Sequence, residues 1–182
     1  LFAGSGHING VACADLDGDS KNEVVVIYDH VIEVLRDNQA GKLVLVKRID
    51  GGHYNDLIAV DALDLNRNGI DEIFVTRVHQ ESGLLRSMAI EYVNGQYKII
   101  DDAIPWYLRA VGQGKTKRLI GQKSGKSGPY RGRNVFTVKW VNNEYRIGET
   151  MAVPEGFSVM GLAMDTNLRN GIDGESVYTD QE

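Results

Sequence analysis

Residues 12–26 read ACADLDGDSKNEVVV and residues 60–75 read VDALDLNRNGIDEIFV. Each stretch has a short apolar lead-in, an oxygen-bearing side chain at every second position, and then a β-branched run. In the first, Asp15, Asp17 and Asp19 hold positions 1, 3 and 5, and Glu23 holds position 9. In the second, Asp64, Asn66, Asn68 and Glu72 hold the same positions. Alternating oxygens let a tight loop wrap a hard cation at about 2.3–2.6 Å, with a backbone carbonyl at position 7. Lys21 and Ile70 stand at that position, their side chains turned away. Gly69 allows a sharp turn at position 6, where the first loop has Ser20 instead. Calcium is the ion this spacing favours. An EF-hand shares the Asp-x-Asp-x-Asp start, but it needs Glu at position 12 and flanking helices. Position 12 here is Val26, inside a β-branched run, so the EF-hand is excluded.

The two loops are copies of one unit. Asp15 and Asp64 lie 49 positions apart, and Asp64 and Asp165 lie 101 apart, about two such steps. Between them, Trp106–Val111, a polar loop over 112–117, and Arg118–Gly121 keep the pattern but lose the acids. Units of about 40–50 residues with four short strands fit β-propeller blades, which stack because one blade cannot bury both its faces. The repeats fall at approximately 7–56, 57–103, 104–156 and a truncated 157–182. The chain therefore reads as one partial propeller domain over 1–182, with about three and a half blades. A ring needs about four to eight blades, so a larger propeller or an atypical closure is expected.

The rest of the sequence agrees with an all-β chain of antiparallel meanders. Runs such as NEVVVIYD (22–29), VIEVLRD (31–37), KLVLVKRI (42–49), EIFVTR (72–77) and VFTVKWV (135–141) are strand-like. Asn94-Gly95 and Asn142-Asn143 mark tight hairpins. No stretch keeps a helical period over about 11 residues. Of 182 residues, 42% are hydrophobic, enough to bury a core and to exclude disorder as the main state. No apolar run reaches the roughly 20 residues of a membrane-spanning helix. The single cysteine, Cys13, excludes an internal disulfide framework; between Ala12 and Ala14 it is expected to be a small packed residue. The net charge of −5 argues against general nucleic-acid binding. The N-terminus lacks the basic and apolar regions of a signal peptide and has no initiator Met, so a mature chain or a fragment is expected.

Charge ranks the candidate metal loops. The first has four carboxylates and is expected to bind most tightly, the second two carboxylates and two amides. In the fourth copy, Asp165, Asn167 and Asn170 form a weaker candidate, with an extra residue in the loop and Gly174 at the place of the closing acid. The third cannot bind this way, since Lys115, Lys117 and Arg118 fill its loop. The competing reading is that such loops are Asx-turns satisfied by their own backbone.

The repeated DLDGDSKNEVVV and DLNRNGIDEIFV resemble the FG-GAP/VCBS repeats of integrin-α-like propellers and of many bacterial secreted or surface proteins. The resemblance implies a propeller, of the seven-bladed type, with calcium held between the first two strands of a blade. It implies an extracellular, periplasmic or cell-surface location, and roles in adhesion or in protein or glycan binding. The ligand stays open, and truncated blade edges invite pairing with another chain. The alternative is a carbohydrate-binding or enzyme-attached propeller, lectin- or lyase-like; no catalytic triad or nucleophile elbow can be argued.

Residues 103–143 contain no Asp or Glu. Lys115, Lys117, Arg118, Lys123, Lys126, Arg131 and Arg133 are candidates for an anion-binding surface there, against the plainer reading of solubilising loop charge. His7 and His53 sit at similar offsets before the first two units, which argues turn structure over chemistry. Trp106, Tyr107, Trp140 and Tyr145 are read mainly as core aromatics, with sugar stacking as the alternative.

Overall fold

The computed structural model describes residues 7–112, 114–123, 135–153, 159, 163–165 and 175–177. Its strands form three four-stranded antiparallel meanders of the propeller-blade kind. The first sheet holds β1 (Ile8–Ala14), β2 (Glu23–Tyr28), β3 (Val31–Asp37) and β4 (Leu43–Asp50). The second holds β5 (Asn55–Leu63), β6 (Glu72–His79), β7 (Ser87–Val93) and β8 (Gln96–Ile104). The third holds β9 (Trp106–Val111), β10 (Arg118–Lys123), β11 (Val135–Val141) and β12 (Glu144–Met151). A two-stranded ladder, β13 (Ala163–Asp165) with β14 (Glu175–Val177), follows. The described residues contain no α-helix; a 3-10 turn lies at Gly114–Thr116, and the sheets of the described residues do not close into a ring.

The turns follow from local chemistry. Asn94 and Gly95 have φ of 53° and 79°, and Asn142 and Asn143 have 53° and 61°. Two left-handed residues in sequence make the hairpin turn whose twist matches the strands it joins, and Asn and Gly tolerate that region best.

Side-chain alternation gives each sheet two apolar faces, and stacking covers them. Val25, Ile27, Ile32 and Val34 of the first sheet pack against Val60, Ile73, Val75, Met88 and Ile90 of the second. Phe74, Ala89 and Ile104 on the second sheet's other face pack against Leu108, Leu119, Phe136 and Val138 of the third. The first strands β1, β5 and β9 lie next to one another. The opposite face of the first sheet carries its own cluster of Val26, Tyr28 and Leu35 with Val24 and Val31.

Cys13 corrects one expectation. It is exposed, because alternation sends Ala12 and Ala14 to the covered face and Cys13, opposite Val24, to the other. Polar groups tie the sheets together. Thr76 Oγ1 donates to the Leu108 carbonyl at 3.2 Å and accepts from the Leu108 amide at 3.0 Å. The buried guanidinium of Arg77 donates to the carbonyls of Gly51, Arg86 and Asp102, joining the β4–β5 linker, the β6–β7 loop and β8. Desolvation pulls its pKa below the usual arginine value.

Candidate metal centre

Both acidic loops join the first and second strands of their sheets, between Ala14 and Glu23 and between Leu63 and Glu72. They share four hydrogen bonds and differ in one: Asp15 Oδ1 takes the position-4 amide of Gly18, Asp64 Oδ1 the position-5 amide of Asn68. The position-1 carboxylate takes the position-6 amide: Ser20 N donates to Asp15 Oδ2 at 2.8 Å, and Gly69 N to Asp64 Oδ2 at 2.9 Å. The position-3 side chain takes the position-5 amide, Asp19 N to Asp17 Oδ1 and Asn68 N to Asn66 Oδ1. The position-5 side chain takes the position-7 amide, Lys21 N to Asp19 Oδ1 and Ile70 N to Asn68 Oδ1, both at 2.9 Å. Position 9 reaches back to position 2: Leu16 N donates to Glu23 Oε2 at 3.0 Å and Leu65 N to Glu72 Oε2 at 2.7 Å.

Both loops turn through positive φ at positions 4 and 6. The first has Gly18 (80°) and Ser20 (66°), the second Arg67 (62°) and Gly69 (89°). Each spends one glycine on two left-handed positions. Position 4 was not singled out from the sequence; Gly18 was its signal.

Asp15, Asp17 and Asp19 each offer a carboxylate oxygen within 4.8 Å of the others, the one such cluster among the described residues. Three anionic oxygens so close together suit a hard divalent cation, which is the test this donor set passes. The Asx-turn bonds and the cluster coexist, because a carboxylate oxygen has two lone pairs.

Two residues absent from the sequence expectations join the loops from β3 and β7. Val24 pairs with Leu35 and Ile73 with Ile90, so Arg36 and Glu91, each one step on, stand opposite Glu23 and Glu72. Arg36 Nε donates to Glu23 Oε1 at 2.8 Å, and its Nη2 pairs with Asp17. Glu91 Oε1 instead accepts from the amides of Asn66, at 2.7 Å, and Asn68. A tyrosine from the following sheet faces each loop. The Tyr97 hydroxyl is held above its usual pKa by burial and by Glu23 and Asp17, and that of Tyr145 by burial and by Glu72 and Glu91. Glu72 is 1% exposed, and burial, reinforced by Glu91 and Asp64, pushes its carboxyl up to about 7. Its Oε1 has no hydrogen-bond partner.

In the third unit, the loop between Val111 and Arg118 is shorter, and Arg118 takes the register place of Glu23 and Glu72. Lys117 donates its Nζ to the Ala62 carbonyl, and Arg109 pairs with Asp61 at 3.3 Å, so part of the basic segment serves the junction with the second sheet. Arg118 and Lys123 are exposed at opposite ends of β10 and are not brought together. The side chain of Lys115, and Lys126, Arg131 and Arg133 altogether, lie outside the described residues, as do Asn167 and Asn170. Asp165 ends β13 opposite Glu175, one register step from the place of Glu23 and Glu72, which pair with the residue before position 1, Ala14 and Leu63.

Beside the second loop, a groove of about 520 Å³ runs to the third sheet, with Asp64, Asn66, Arg118, Lys139, Trp140 and Glu149 in its wall. Trp140 packs on Tyr145 at 4.8 Å between ring centroids, while Trp106 packs edge-on against Phe136 and Tyr107 is buried. His30 and His53, distant in sequence, meet edge-to-face at 5.7 Å.

The duplicated acidic loop, closed by a glutamate that begins a buried second strand, decides the family comparison. Residues 2–75 match the FG-GAP-like repeat. The match covers the first sheet and the first acidic strand–loop–strand of the second, the two places where the FG-GAP-like pattern was legible in the sequence. No curated protein matches the sequence. No helix among the described residues is long and apolar enough to cross a membrane.

Proposed function

We propose that the chain is part of a non-catalytic, calcium-binding β-propeller module that presents its loops to a protein or glycan partner in an adhesion-like role. The observation that carries this reading is the convergence of Asp15, Asp17 and Asp19 within 4.8 Å at a strand–loop–strand turn of the FG-GAP-like repeat. Asp15, Asp17, Asp19 and Glu23 with the Lys21 carbonyl would hold one ion; Asp64, Asn66, Asn68 and Glu72 with the Ile70 carbonyl would hold another. Bound calcium would offset the repulsion among these carboxylates and fix the turn. Loops of this kind suit the millimolar calcium found outside the cytoplasm, so an extracellular, periplasmic or surface setting goes with the reading. The units near 7–56, 57–103, 104–156 and 157–182 would be blades of a larger ring, of the seven-bladed type.

Thermal unfolding in calcium and in EDTA tests it. A ligand that binds only the folded state at about 100 times its Kd adds about 2.7 kcal/mol, so the melting temperature should rise with calcium. Equal melting temperatures in millimolar calcium and in EDTA would overturn the proposal.

A carbohydrate-binding module is the second reading, favoured by the groove that sets Trp140 beside the polar second loop. Saturable glycan binding that Trp140→Ala abolishes would support it; a silent glycan array would leave the protein partner.

A further inference from the structure

The two acidic loops fold alike but meet opposite charges from the third strand of their sheets. Opposite the closing glutamate stands Arg36 in the first sheet and Glu91 in the second. Arg36 bridges Glu23 and Asp17, so two of the first loop's four carboxylates already have a cation. In the second sheet Glu91, 9% exposed, sits over the loop with one oxygen on the amides of Asn66 and Asn68. Glu72, 99% buried, turns one oxygen to the Leu65 amide within that loop and leaves Oε1 unpartnered. A buried carboxylate oxygen without a donor is costly, and a second carboxylate close by makes it more so. A divalent cation relieves both.

We propose that Glu91 is a direct ligand of a divalent cation in the second loop, and that Arg36 is the built-in counter-charge of the first. This deepens the calcium reading above and rests on it. The consequence reverses the ranking by loop charge. The second loop, with fewer acids of its own, becomes the tighter site, because its charge is completed from β7 and, among the described residues, no Lys or Arg forms an ion pair with it. In the first loop an incoming ion competes with a guanidinium already seated on Asp17 and Glu23.

The test is a competition titration of calcium chloride against a chromophoric calcium chelator on the whole chain. Asp15→Asn and Asp64→Asn assign each binding event to its loop. Glu91→Gln keeps an oxygen to accept from Asn66 and Asn68 and removes only the charge. It should weaken the event assigned to Asp64 about tenfold or more, by loss of a charged ligand, and leave the event assigned to Asp15 unchanged. Arg36→Gln should tighten the Asp15 event. An unchanged Asp64 event in Glu91→Gln overturns the proposal, since it makes Glu91 an amide-orienting residue only. A tighter Asp15 than Asp64 event in the unsubstituted chain overturns it too. If Glu91→Gln fails to fold, Arg36→Gln decides alone: no tightening at the first loop overturns the counter-charge assignment. Absence of any calcium binding by the unsubstituted chain overturns the calcium reading itself, an outcome distinct from the others.

Discussion

The backbone amide of Asp71 donates to the carbonyl of Asp15 at 3.0 Å, so the two acidic loops are joined across the sheet junction. Ile70 reinforces the tie by lying against Gly18. An ion bound in one loop would therefore stiffen a segment that the other loop shares. Substitutions in contacting groups are non-additive by about 0.5–3 kcal/mol. Asp15→Asn and Asp64→Asn, measured singly and together by denaturant unfolding in calcium, should show such a coupling. Additivity within about 0.5 kcal/mol would mean that the loops act alone.

Ser20 pays for a left-handed backbone without being a glycine, at φ 66°. A residue with a Cβ in that region costs about 1–2 kcal/mol, and the freer unfolded chain of glycine returns about 0.4–1 kcal/mol of any gain. Ser20→Gly should stabilise the protein by up to about 1 kcal/mol, and Arg67→Gly, at φ 62°, should do the same. Denaturant midpoints read both. A loss of stability in either would show that the side chain does more than tolerate the turn.

Asp61 is held above the ordinary carboxyl pKa by burial, with Arg109 at 3.3 Å and Lys117 pulling the other way. A folded-state pKa above the unfolded value means that the protonated form is favoured in the fold. The stabilising contribution is complete below the unfolded value, near 3.8, and is lost as pH rises through the folded value. Asp61→Asn lacks this loss. Its stability relative to the unsubstituted protein should therefore grow as the pH is raised from about 4 towards neutrality. Thermal melts across that range in EDTA measure it, and a difference that shrinks with rising pH would reverse the sign argued here.

Among the described residues, strand β4 pairs only with β3, and it exposes Leu43, Val44, Leu45 and Val46 in succession. An unpaired edge with an apolar run is a template for another chain. Leu45→Lys should reduce concentration-dependent self-association, read by sedimentation velocity, at a stability change within about 0.5 kcal/mol, as for an exposed site. Unchanged association would place any contact elsewhere.

The strands and turns were legible because period-two runs and Asn-Gly or Asn-Asn pairs report directly on backbone geometry. The two loops and their candidate ligand positions could be picked out because the spacing lies within one turn. Arg36 and Glu91 were not. They follow the closing acid by 13 and 19 residues, and only hairpin register makes them equivalent. Tyr97 and Tyr145 come from the next sheet, and no spacing rule within one loop could have found them. Cys13 misled because small neighbours were read as a packed environment, whereas on a strand neighbours in sequence lie on opposite faces.

The second sheet is sandwiched, with Ile73 and Val75 against one neighbour and Phe74 against the other. Layers that touch only their neighbours melt from the outside inward. Amide protons of β6 should consequently be the last to exchange with deuterated water, and a cavity cut at Phe74 would uncouple what lies on its two sides before it unfolded either.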